Sequence, residues 1–182
     1  MKFVETPING VFVIEPRVFG DDRGFFVETW QERKFADAGI DAAFVQDNHS
    51  RSKQWTLRGL HLQVAHTQGK LVRVCSGSVF DVVVDLRRSS STFGSWWSID
   101  LSAENHRMLW VPPGLAHGIL VTSQSADFLY KCTDFYSPAD ERTLVWNDSS
   151  LKIAWPLPPG RLPELSAKDA EGVSFADIEK FE

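Results

Sequence analysis

Two β-strands are predicted by residues 71–87, which read LVRVCSGSVFDVVVDLR. After position 78, apolar side chains alternate with Asp81, Asp85 and Arg87, which is the two-residue period of a strand with one buried face and one solvent face. The run before it is also apolar, and the Ser76–Ser78 link between the two runs has the composition of a tight turn. The stretch therefore predicts a β-hairpin whose second strand is half-buried.

Short apolar runs of the same kind recur along the rest of the chain, separated by Gly, Pro, Asn, Asp and Ser. Such a pattern is typical of an all-β sandwich or barrel. Helical patterns are few: Thr29–Glu32 has the form of a capping box with Gly39 as a stop, which predicts a helix over 30–38, and Ser174–Lys180 is a second candidate. The predicted strands are Val11–Glu15, Gly24–Thr29, Ala43–Ser50, Leu57–Gln63, Leu71–Cys75, 79–87, Ser95–Leu101, Arg107–Val111, Gly118–Thr122 and Ala126–Asp134.

The composition is that of one folded globular domain. Of the 182 residues, 43% are hydrophobic and 12% aromatic, so residues 1–182 are expected to form a single domain that ends in a Pro-rich, partly helical tail over about 156–182. A net charge of −5 without a basic tract argues against a nucleic-acid partner. No stretch approaches the ~20 apolar residues of a membrane helix, and the N-terminus lacks an apolar signal segment, so we expect no membrane partner and a cytoplasmic location. Cys75 and Cys132 lie in strand-like apolar runs and predict buried free thiols.

His61, in the predicted strand Leu57–Gln63, is the first candidate for a general base. Imidazole titrates near pH ~6.5, so its neutral form can accept a proton at physiological pH. A core histidine satisfied by hydrogen bonds is the structural alternative. Strict alternation places Arg58 and His61 on opposite faces of the strand. A bulge or bend at Gly59 would bring both side chains into one cavity.

Further candidates each have a structural alternative. Tyr130 and Tyr136 are six residues apart and would share one face of a continuous strand. On that face one phenol can return a proton to a carbanion and the other ring can stack on a base. The structural alternative is that both rings pack in the core. Asp169 ends a Ser-x-x-Asp pattern, which is a helix N-cap and also supplies a carboxylate able to orient a histidine. Arg23 and Arg58 are candidate phosphate clamps or ordinary surface residues.

A partial metal-site motif is present without its usual ligands. Pro112–His117 resembles the Pro-x-Gly-x-x-His motif of metal-binding cupins, small β-barrels whose other motif supplies two more imidazoles and a carboxylate. In this chain Gln63 stands at the place of the second of those imidazoles, and Lys70 lies roughly at the place of the acid. An ammonium group cannot ligate a metal ion and repels it. The residues therefore predict a base, a cation and an imidazole in a metal-free cavity, a combination suited to proton abstraction beside a carbonyl.

Blocks of sequence along nearly the whole chain carry a resemblance to one family. They are Val18–Phe26, Val45–Ser50, Leu57–His61, Gln68–Arg73, Ser102–Asn105, Pro113–Gly118, Phe128–Lys131, Tyr136–Pro138, Trp146–Asp148 and Leu165–Asp169. In these blocks the chain resembles the dTDP-4-dehydrorhamnose 3,5-epimerases, a family of metal-free cupins. The resemblance implies a cupin-like jelly-roll barrel, no cofactor, and a homodimer for which N-terminal strands are available for exchange.

The resemblance also implies roles for individual residues. His61 matches the family's base, Asp169 its orienting partner, Tyr130 the proton donor, Lys70 the cation beside the keto oxygen of the sugar, and Tyr136 the aromatic that stacks on thymine. The remaining residues that fall where the family contacts the nucleotide sugar are Arg23, Glu28, Gln46, Asp47, Asn48, Arg58, His117, Glu141 and Lys168.

The implied reaction is epimerisation at carbons 3 and 5 of dTDP-4-dehydro-6-deoxy-D-glucose, giving dTDP-4-dehydro-L-rhamnose. The 4-keto group acidifies both neighbouring carbons, so one base can serve both positions. Three alternatives stay open at this point. They are an epimerase acting on only one of the two carbons, a nucleotide-sugar-binding module without activity, and a metal-dependent cupin oxygenase, against which Gln63 and Lys70 argue.

Overall fold

The computed structural model describes residues 1–182 and consists almost wholly of β-strands. Its strands are β1 (Lys2–Glu5), β2 (Phe12–Glu15), β3 (Val18–Asp21), β4 (Gly24–Val27), β5 (Gln46–Lys53), β6 (Leu57–Gln63), β7 (Lys70–Ser76), β8 (Ser78–Asp85), β9 (Trp96–Ser102), β10 (Met108–Val111), β11 (Leu115–Val121), β12 (Ser125–Cys132) and β13 (Glu141–Thr143). The two helices are α1 (Glu32–Asp37) and α2 (Ala167–Ala170). Neither helix has the length or apolar character to cross a bilayer.

Two antiparallel sheets face each other and enclose the main core. The six-stranded sheet has the order β1-β2-β10-β7-β12-β5, and the five-stranded sheet has the order β13-β6-β11-β8-β9. Alternate side chains of both sheets point inward, and they form a cluster of 15 buried apolar residues that includes Val72, Val83, Ile119 and Phe128. The expected all-β, cupin-like jelly roll with a few short helices is therefore confirmed.

The outer face of each sheet is covered by a different segment. Helix α1 and the residues after it cover the six-stranded sheet, where Phe35 and Ile40 pack against Leu71 and Trp110. The C-terminal tail covers the five-stranded sheet, where Ile178 joins a second apolar cluster. Each cover buries part of the outer face of its sheet, and the cavity lies between the two sheets.

The hairpin predicted for residues 71–87 is wrong. β7 belongs to the six-stranded sheet and β8 to the five-stranded sheet, so the Ser76–Ser78 link carries the chain from one sheet to the other. Gly77 lies at this corner with φ +73°, and a Cβ there would meet the carbonyl oxygen of Ser125. β8 is also buried on both faces, because the tail covers its outer side. The tail packs on Val82 and Val84, whereas Asp81 and Asp85 lie on the inner face that β8 turns toward the other sheet, and both are fully buried rather than solvent-facing.

Three local predictions also need correction. Helix α1 begins later than the capping-box pattern indicated, since Gln31 rather than Thr29 caps it by accepting a hydrogen bond from the Lys34 N–H at 2.8 Å. Residues 174–180 form turns instead of a helix, and the tail helix lies earlier, at α2. Cys132 is buried as expected, but Cys75 is exposed because it lies in a bulge of β7 on the outer side of the sheet.

Candidate active site

The bulge expected at Gly59 is present and creates one wall of a cavity. Along the β6–β11 pair, His61 faces His117 and Arg58 faces Ile119, so β6 spans three residue steps where β11 spans two. Gly59 has φ +113°, and a Cβ at this position would lie 2.6 Å from the His117 carbonyl oxygen. Only glycine fits both the dihedral angle and the close approach. The extra residue places the Arg58 and His61 side chains in the same cavity, as predicted.

His61 is paired with the carboxylate of Asp169. The distance from His61 Nε2 to Asp169 Oδ1 is 2.5 Å, and the Asp169 side chain is 4% exposed. Burial by itself raises the pKa of Asp169, but hydrogen bonds from His61, from Ser166 and from the Gly59 N–H together hold this pKa below its usual value. Asp169 is therefore a carboxylate at neutral pH. An Nε2–H donated to it leaves Nδ1 of His61 as the proton-accepting nitrogen.

Tyr130 and Lys70 lie on the opposite wall, which the six-stranded sheet provides. They sit on neighbouring strands, β12 and β7, and both side chains line the cavity. Burial raises the pKa of Tyr130, which keeps its phenol protonated and able to donate. Burial also lowers the pKa of Lys70, although Cys132, Glu141 and Asp81 oppose this shift.

The cavity between the two walls has a volume of about 340 Å³ and is mostly polar. At its rim the Tyr136 hydroxyl donates to Glu141 Oε2 at 2.8 Å, and Lys168 Nζ lies 2.8 Å from the same oxygen. The strand expected to carry both tyrosines ends at Cys132, so Tyr136 reaches the cavity from the following loop. The lining residues are Gln46, Asn48, Ser50, Arg58, His61, Leu62, Gln63, Gln68, Lys70, His117, Gly118, Ile119, Phe128, Tyr130, Tyr136, Glu141 and Lys168.

His117 lies in the cavity wall and has a buried partner that the sequence reasoning missed. Its Nε2 is 2.9 and 3.0 Å from the two carboxylate oxygens of Asp81. Asp81 sits on β8, and the alternating pattern there indicated a solvent-facing position. The available signal was an acidic residue between valines in a strand that a second layer could cover. Arg58 likewise has an unpredicted partner, because its Nε donates to Ser52 Oγ at 2.9 Å.

The side chains at the place of a cupin metal site do not form a ligand set. No three His, Cys, Asp or Glu side chains converge on a point where a metal ion could sit. The two imidazoles present, His61 and His117, are each bound to a carboxylate of their own. Gln63 is engaged with backbone groups of the rim, and Lys70 adds a positive charge. This donor set does not suit a transition metal.

Three of the residues expected to contact the nucleotide sugar lie outside this cavity in the single chain. Arg23 is at the tip of the β3–β4 hairpin and pairs with Asp21 at 2.6 Å. Glu28 pairs with Lys34, and Asp47 points out of the six-stranded sheet toward Lys131. The single chain thus brings together Gln46, Asn48, Arg58, His117, Tyr136, Glu141 and Lys168, with the histidine, lysine and tyrosine named above.

Fold and site define a cupin-like protein with a histidine–aspartate pair facing a tyrosine and a lysine. A model of the family described as dTDP-4-dehydrorhamnose 3,5-epimerase matches residues 5–177. The chain is 56% identical over 182 residues to the dTDP-4-dehydrorhamnose 3,5-epimerase of Pseudomonas aeruginosa, covering 100% of this chain and 99% of that one. It is 52% identical over 172 residues to the enzyme of the same name from Salmonella typhimurium, covering 93% of each chain.

A solved structure from Legionella pneumophila agrees with these relatives. It is a dTDP-6-deoxy-D-glucose-3,5-epimerase in complex with dTDP-4-keto-L-rhamnose, 48% identical in sequence, with a TM-score of 0.94. The alignment covers 98% of this chain and 94% of that one. The chain belongs to the dTDP-4-dehydrorhamnose 3,5-epimerase family, and the resemblance stated from its sequence is confirmed.

Proposed function

We propose that this chain epimerises carbons 3 and 5 of dTDP-4-dehydro-6-deoxy-D-glucose, without a cofactor, to give dTDP-4-dehydro-L-rhamnose. One observation supports this most directly: His61 and Tyr130 lie on opposite walls of one cavity, each on a different sheet. Inverting a carbon centre requires a proton to leave from one face of the sugar ring and another to arrive at the opposite face. A base and an acid on facing walls match this requirement.

In the first step, we assign proton abstraction to His61. Its Nδ1 takes the proton from the carbon beside the 4-keto group, and the electron pair of the broken C–H bond moves into the ketone as an enolate. The imidazolium that forms is stabilised by the Asp169 carboxylate, which is already bound to Nε2. Holding the ring in one tautomer before the substrate arrives removes a reorganisation cost from the barrier.

The enolate oxygen then requires a positive group, and we assign this role to Lys70. Its position in a partly closed cavity strengthens the interaction relative to bulk water. Tyr130, with a pKa raised by burial, gives its phenolic proton to the carbon from the opposite face. Before the second carbon reacts, the His61 imidazolium releases its proton to solvent and the Tyr130 phenolate takes one up from solvent. The same base and acid then act on the second carbon after the ring has shifted in the cavity.

The rim of the cavity supplies the nucleotide-binding groups in this proposal. Tyr136 stacks on thymine, while Arg58 and Lys168 lie where cations can meet the diphosphate. Gln46, Asn48, His117 and Glu141 contribute the remaining polar contacts. The cavity lining includes both cationic side chains and apolar ones such as Phe128, which suits a charged diphosphate linked to a deoxysugar.

Solvent isotope incorporation tests the reaction directly. Incubation of the chain with dTDP-4-dehydro-6-deoxy-D-glucose in D2O, followed by NMR of the sugar, is expected to show deuterium at carbons 3 and 5. Label at one carbon only would indicate a single-site epimerase and overturn the double epimerisation. Tight binding without any label would indicate a non-catalytic binding module.

We further propose that the chain is a single cupin-like domain that works as a homodimer. The β3–β4 hairpin forms a two-stranded sheet of its own, apart from both main sheets. It exposes Phe25 and Phe26, which are 63% and 67% exposed, together with Phe19. Apolar side chains gathered on one hairpin are typical of a surface that a partner covers.

β5 lines the cavity and is an edge strand of its sheet, so a second copy can approach the cavity along this edge. In a dimer, Arg23 of one copy could in this way reach the cavity of the other. Equilibrium sedimentation is expected to give a dimer, and Phe25→Asp with Phe26→Asp is expected to give monomers with weakened substrate binding. The exposed pair Val173→Asp with Leu162→Asp, far from the hairpin in sequence, is the control and should leave the dimer intact. A monomeric wild-type chain at micromolar concentration would contradict this assembly.

A further inference from the structure

Gln63 occupies the place of a metal-ligating imidazole but is bonded to the backbone of the cavity rim. The residue is buried and ends strand β6. Its Nε2 donates to the carbonyl oxygen of His66 at 2.5 Å and to that of Phe135 at 3.2 Å, and its Oε1 accepts from the Ser137 N–H at 2.9 Å. One amide thus connects three backbone groups from the two loops 64–69 and 133–140.

Two of these groups flank Tyr136 directly in the chain. The Phe135 carbonyl precedes the Tyr136 peptide nitrogen, and the Ser137 N–H follows its carbonyl. The Tyr136 N–H itself donates to Gln46 Oε1 at 2.9 Å. Gln46 is held in turn, because its Nε2 donates to Asn48 Oδ1 at 3.1 Å. Two glutamine side chains therefore fix three backbone groups at or next to Tyr136, which are the Phe135 carbonyl, the Tyr136 N–H and the Ser137 N–H.

Tyr136 needs such support because little else fixes it. The residue is 50% exposed and lies in a loop beyond the end of β12. Its side chain has one hydrogen bond, from the hydroxyl to Glu141. A surface loop residue ordinarily loses its preferred direction through backbone motion, and this motion weakens any stacking contact that the ring can make.

We propose that Gln63 is a positioning residue that clamps the Tyr136 backbone and thereby preorganises the ring for stacking on the base of the nucleotide. The inference rests on the proposed function only in assigning a nucleotide base to Tyr136. The clamp requires an amide, since one end must accept from an N–H and the other must donate to carbonyl oxygens. A carboxylate or apolar side chain at position 63 cannot make this pattern, and a neutral histidine has only one N–H for the two carbonyl oxygens.

Gln63→Met tests the clamp while keeping a side chain of similar length. We expect the Kd for dTDP, the nucleotide without its sugar, to rise about tenfold, within the range that loss of base–aromatic stacking gives. The KM for the keto sugar should rise by a similar factor while kcat stays within about threefold, because stacking on the base is present in both the ground state and the transition state. Hydrogen exchange at the Ser137 amide should become faster.

Gln54→Met is the matched control. Gln54 also ties two segments through a side-chain amide, donating to the Thr122 carbonyl oxygen at 2.9 Å, but it does not line the cavity. This variant should leave dTDP affinity and exchange at Ser137 unchanged. Calorimetric Tm values of both variants separate a loss of affinity from a general loss of folding.

A double-mutant cycle with Tyr136→Ala decides whether Gln63 affects dTDP affinity by positioning Tyr136 or independently of it. If Gln63 acts through Tyr136, adding Gln63→Met to Tyr136→Ala causes no further loss of dTDP affinity. A further loss of about tenfold in the double variant, matching the single-variant effect expected from lost stacking, would overturn the proposal, as would unchanged dTDP affinity in Gln63→Met. A wild-type chain that binds dTDP but does not convert the keto sugar would refute the proposed reaction. The coupling between Gln63 and Tyr136 would still be measurable from dTDP affinity.

Discussion

The Asp169 carboxylate accepts hydrogen bonds from two segments of the molecule, strand β6 and the N-cap of helix α2. Oδ1 accepts from His61 and, at 3.4 Å, from the Gly59 N–H, while Oδ2 accepts from Ser166 Oγ at 2.8 Å. Ser166 Oγ in turn accepts from the Asp169 N–H, which completes the cap of helix α2. The capping role and the histidine-orienting role are therefore both present in one residue. The hydrogen bonds with Ser166 hold the Asp169 carboxylate in place, so its orientation does not depend on His61.

Removal of the imidazole is expected to abolish turnover. His61→Ala should lower kcat by at least about 10²-fold, because a general base contributes on the order of 10²–10⁴ in rate. Asp169→Asn should lower kcat by a comparable factor, since an amide can donate to Nε2 and so favour the wrong tautomer. Circular dichroism should show an unchanged fold for His61→Ala. Retention of more than about a tenth of wild-type turnover would be incompatible with the role of a general base.

The lowered pKa of Lys70 predicts that kcat falls at alkaline pH. Burial lowers the pKa of Lys70 from its ordinary value of 10.5, so the ammonium loses its proton, and with it the enolate-stabilising charge, at a pH below 10.5. Lys70→Arg keeps a cation whose pKa is above ~12, and it should move this decline to higher pH even if kcat at neutral pH falls. The measurement is kcat from pH 7 to the alkaline limit of stability. If kcat falls at the same alkaline pH in the wild type and in Lys70→Arg, the titrating group is not Lys70.

At the scale of secondary structure, the bulge in β6 is the element that assembles the site. It reverses the expected alternation once, so that Arg58 and His61 both reach the cavity while Leu60 and Leu62 still pack in the apolar cluster beneath the tail. A regular strand with the same sequence would place one of the two functional side chains in that cluster. Burying an unpaired charge there would cost several kcal/mol.

Gly59→Ala is expected to disrupt both stability and activity. A Cβ would add backbone clashes with His117 and Gly118 to the strain of a positive φ, costing roughly 1–3 kcal/mol beyond the φ penalty. Displacement of His61 by about 1 Å can lower turnover by about 10². Gly39→Ala is the control, because Gly39 also has a positive φ but an added Cβ meets nothing within 4 Å. The control should lose about 1–2 kcal/mol of stability and keep its activity; equal effects of the two substitutions on kcat would argue against the bulge as the determinant.

At the scale of the whole molecule, the C-terminal tail is both a cover and a part of the site. It reaches across the five-stranded sheet through isolated bridges of Thr56 with Glu164, Leu144 with Val173 and Arg87 with Phe181. Between the first two bridges it carries Asp169 to His61. Asp148 ties this tail to the body, since its Oδ2 accepts from the Phe175 N–H at 2.7 Å and its Oδ1 from the Leu151 N–H at 3.1 Å.

The Asp148 clasp predicts a dependence of stability on acid pH. Burial alone raises the pKa of Asp148, but its hydrogen bonds with Ser150, Phe175 and Leu151 outweigh this and lower the pKa from 3.8 to about 2. Its contribution is therefore complete above pH ~4, the ordinary pKa range of an aspartate, and is lost as the pH falls toward the folded value. Asp148→Asn should destabilise the protein by about 2 kcal/mol at pH 7, the worth of hydrogen bonds to a charged group.

Urea unfolding at pH 7 and pH 3 provides the measurement. The difference in unfolding free energy between wild type and Asp148→Asn should narrow at pH 3, because the wild-type carboxylate gains protons on unfolding there. The exposed residue Asp41 serves as control, and Asp41→Asn should match wild type at both pH values. A difference that stays constant between the two pH values would exclude titration of Asp148 as its source.

Local rules applied to the sequence, namely side-chain period and turn composition, predicted the strand content, most strand positions and the glycine bulge. The resemblance to a known family implied which histidine, lysine, tyrosines and aspartate belong to the site. A sequence motif, Ser-x-x-Asp, also predicted the local contact between Ser166 and Asp169.

Only the tertiary structure decided which strands pair, which faces are buried and which polar groups meet. Residues 71–87 have the local pattern of a hairpin, yet β7 and β8 separate into two sheets because each finds better partners far along the chain. Asp81 is a buried partner of His117 because its side of β8 faces the other sheet, while tail residues such as Ile178 cover the opposite side of the strand. Such outcomes depend on long-range packing, whose free energy exceeds local preference and leaves no periodic signal in the residues concerned.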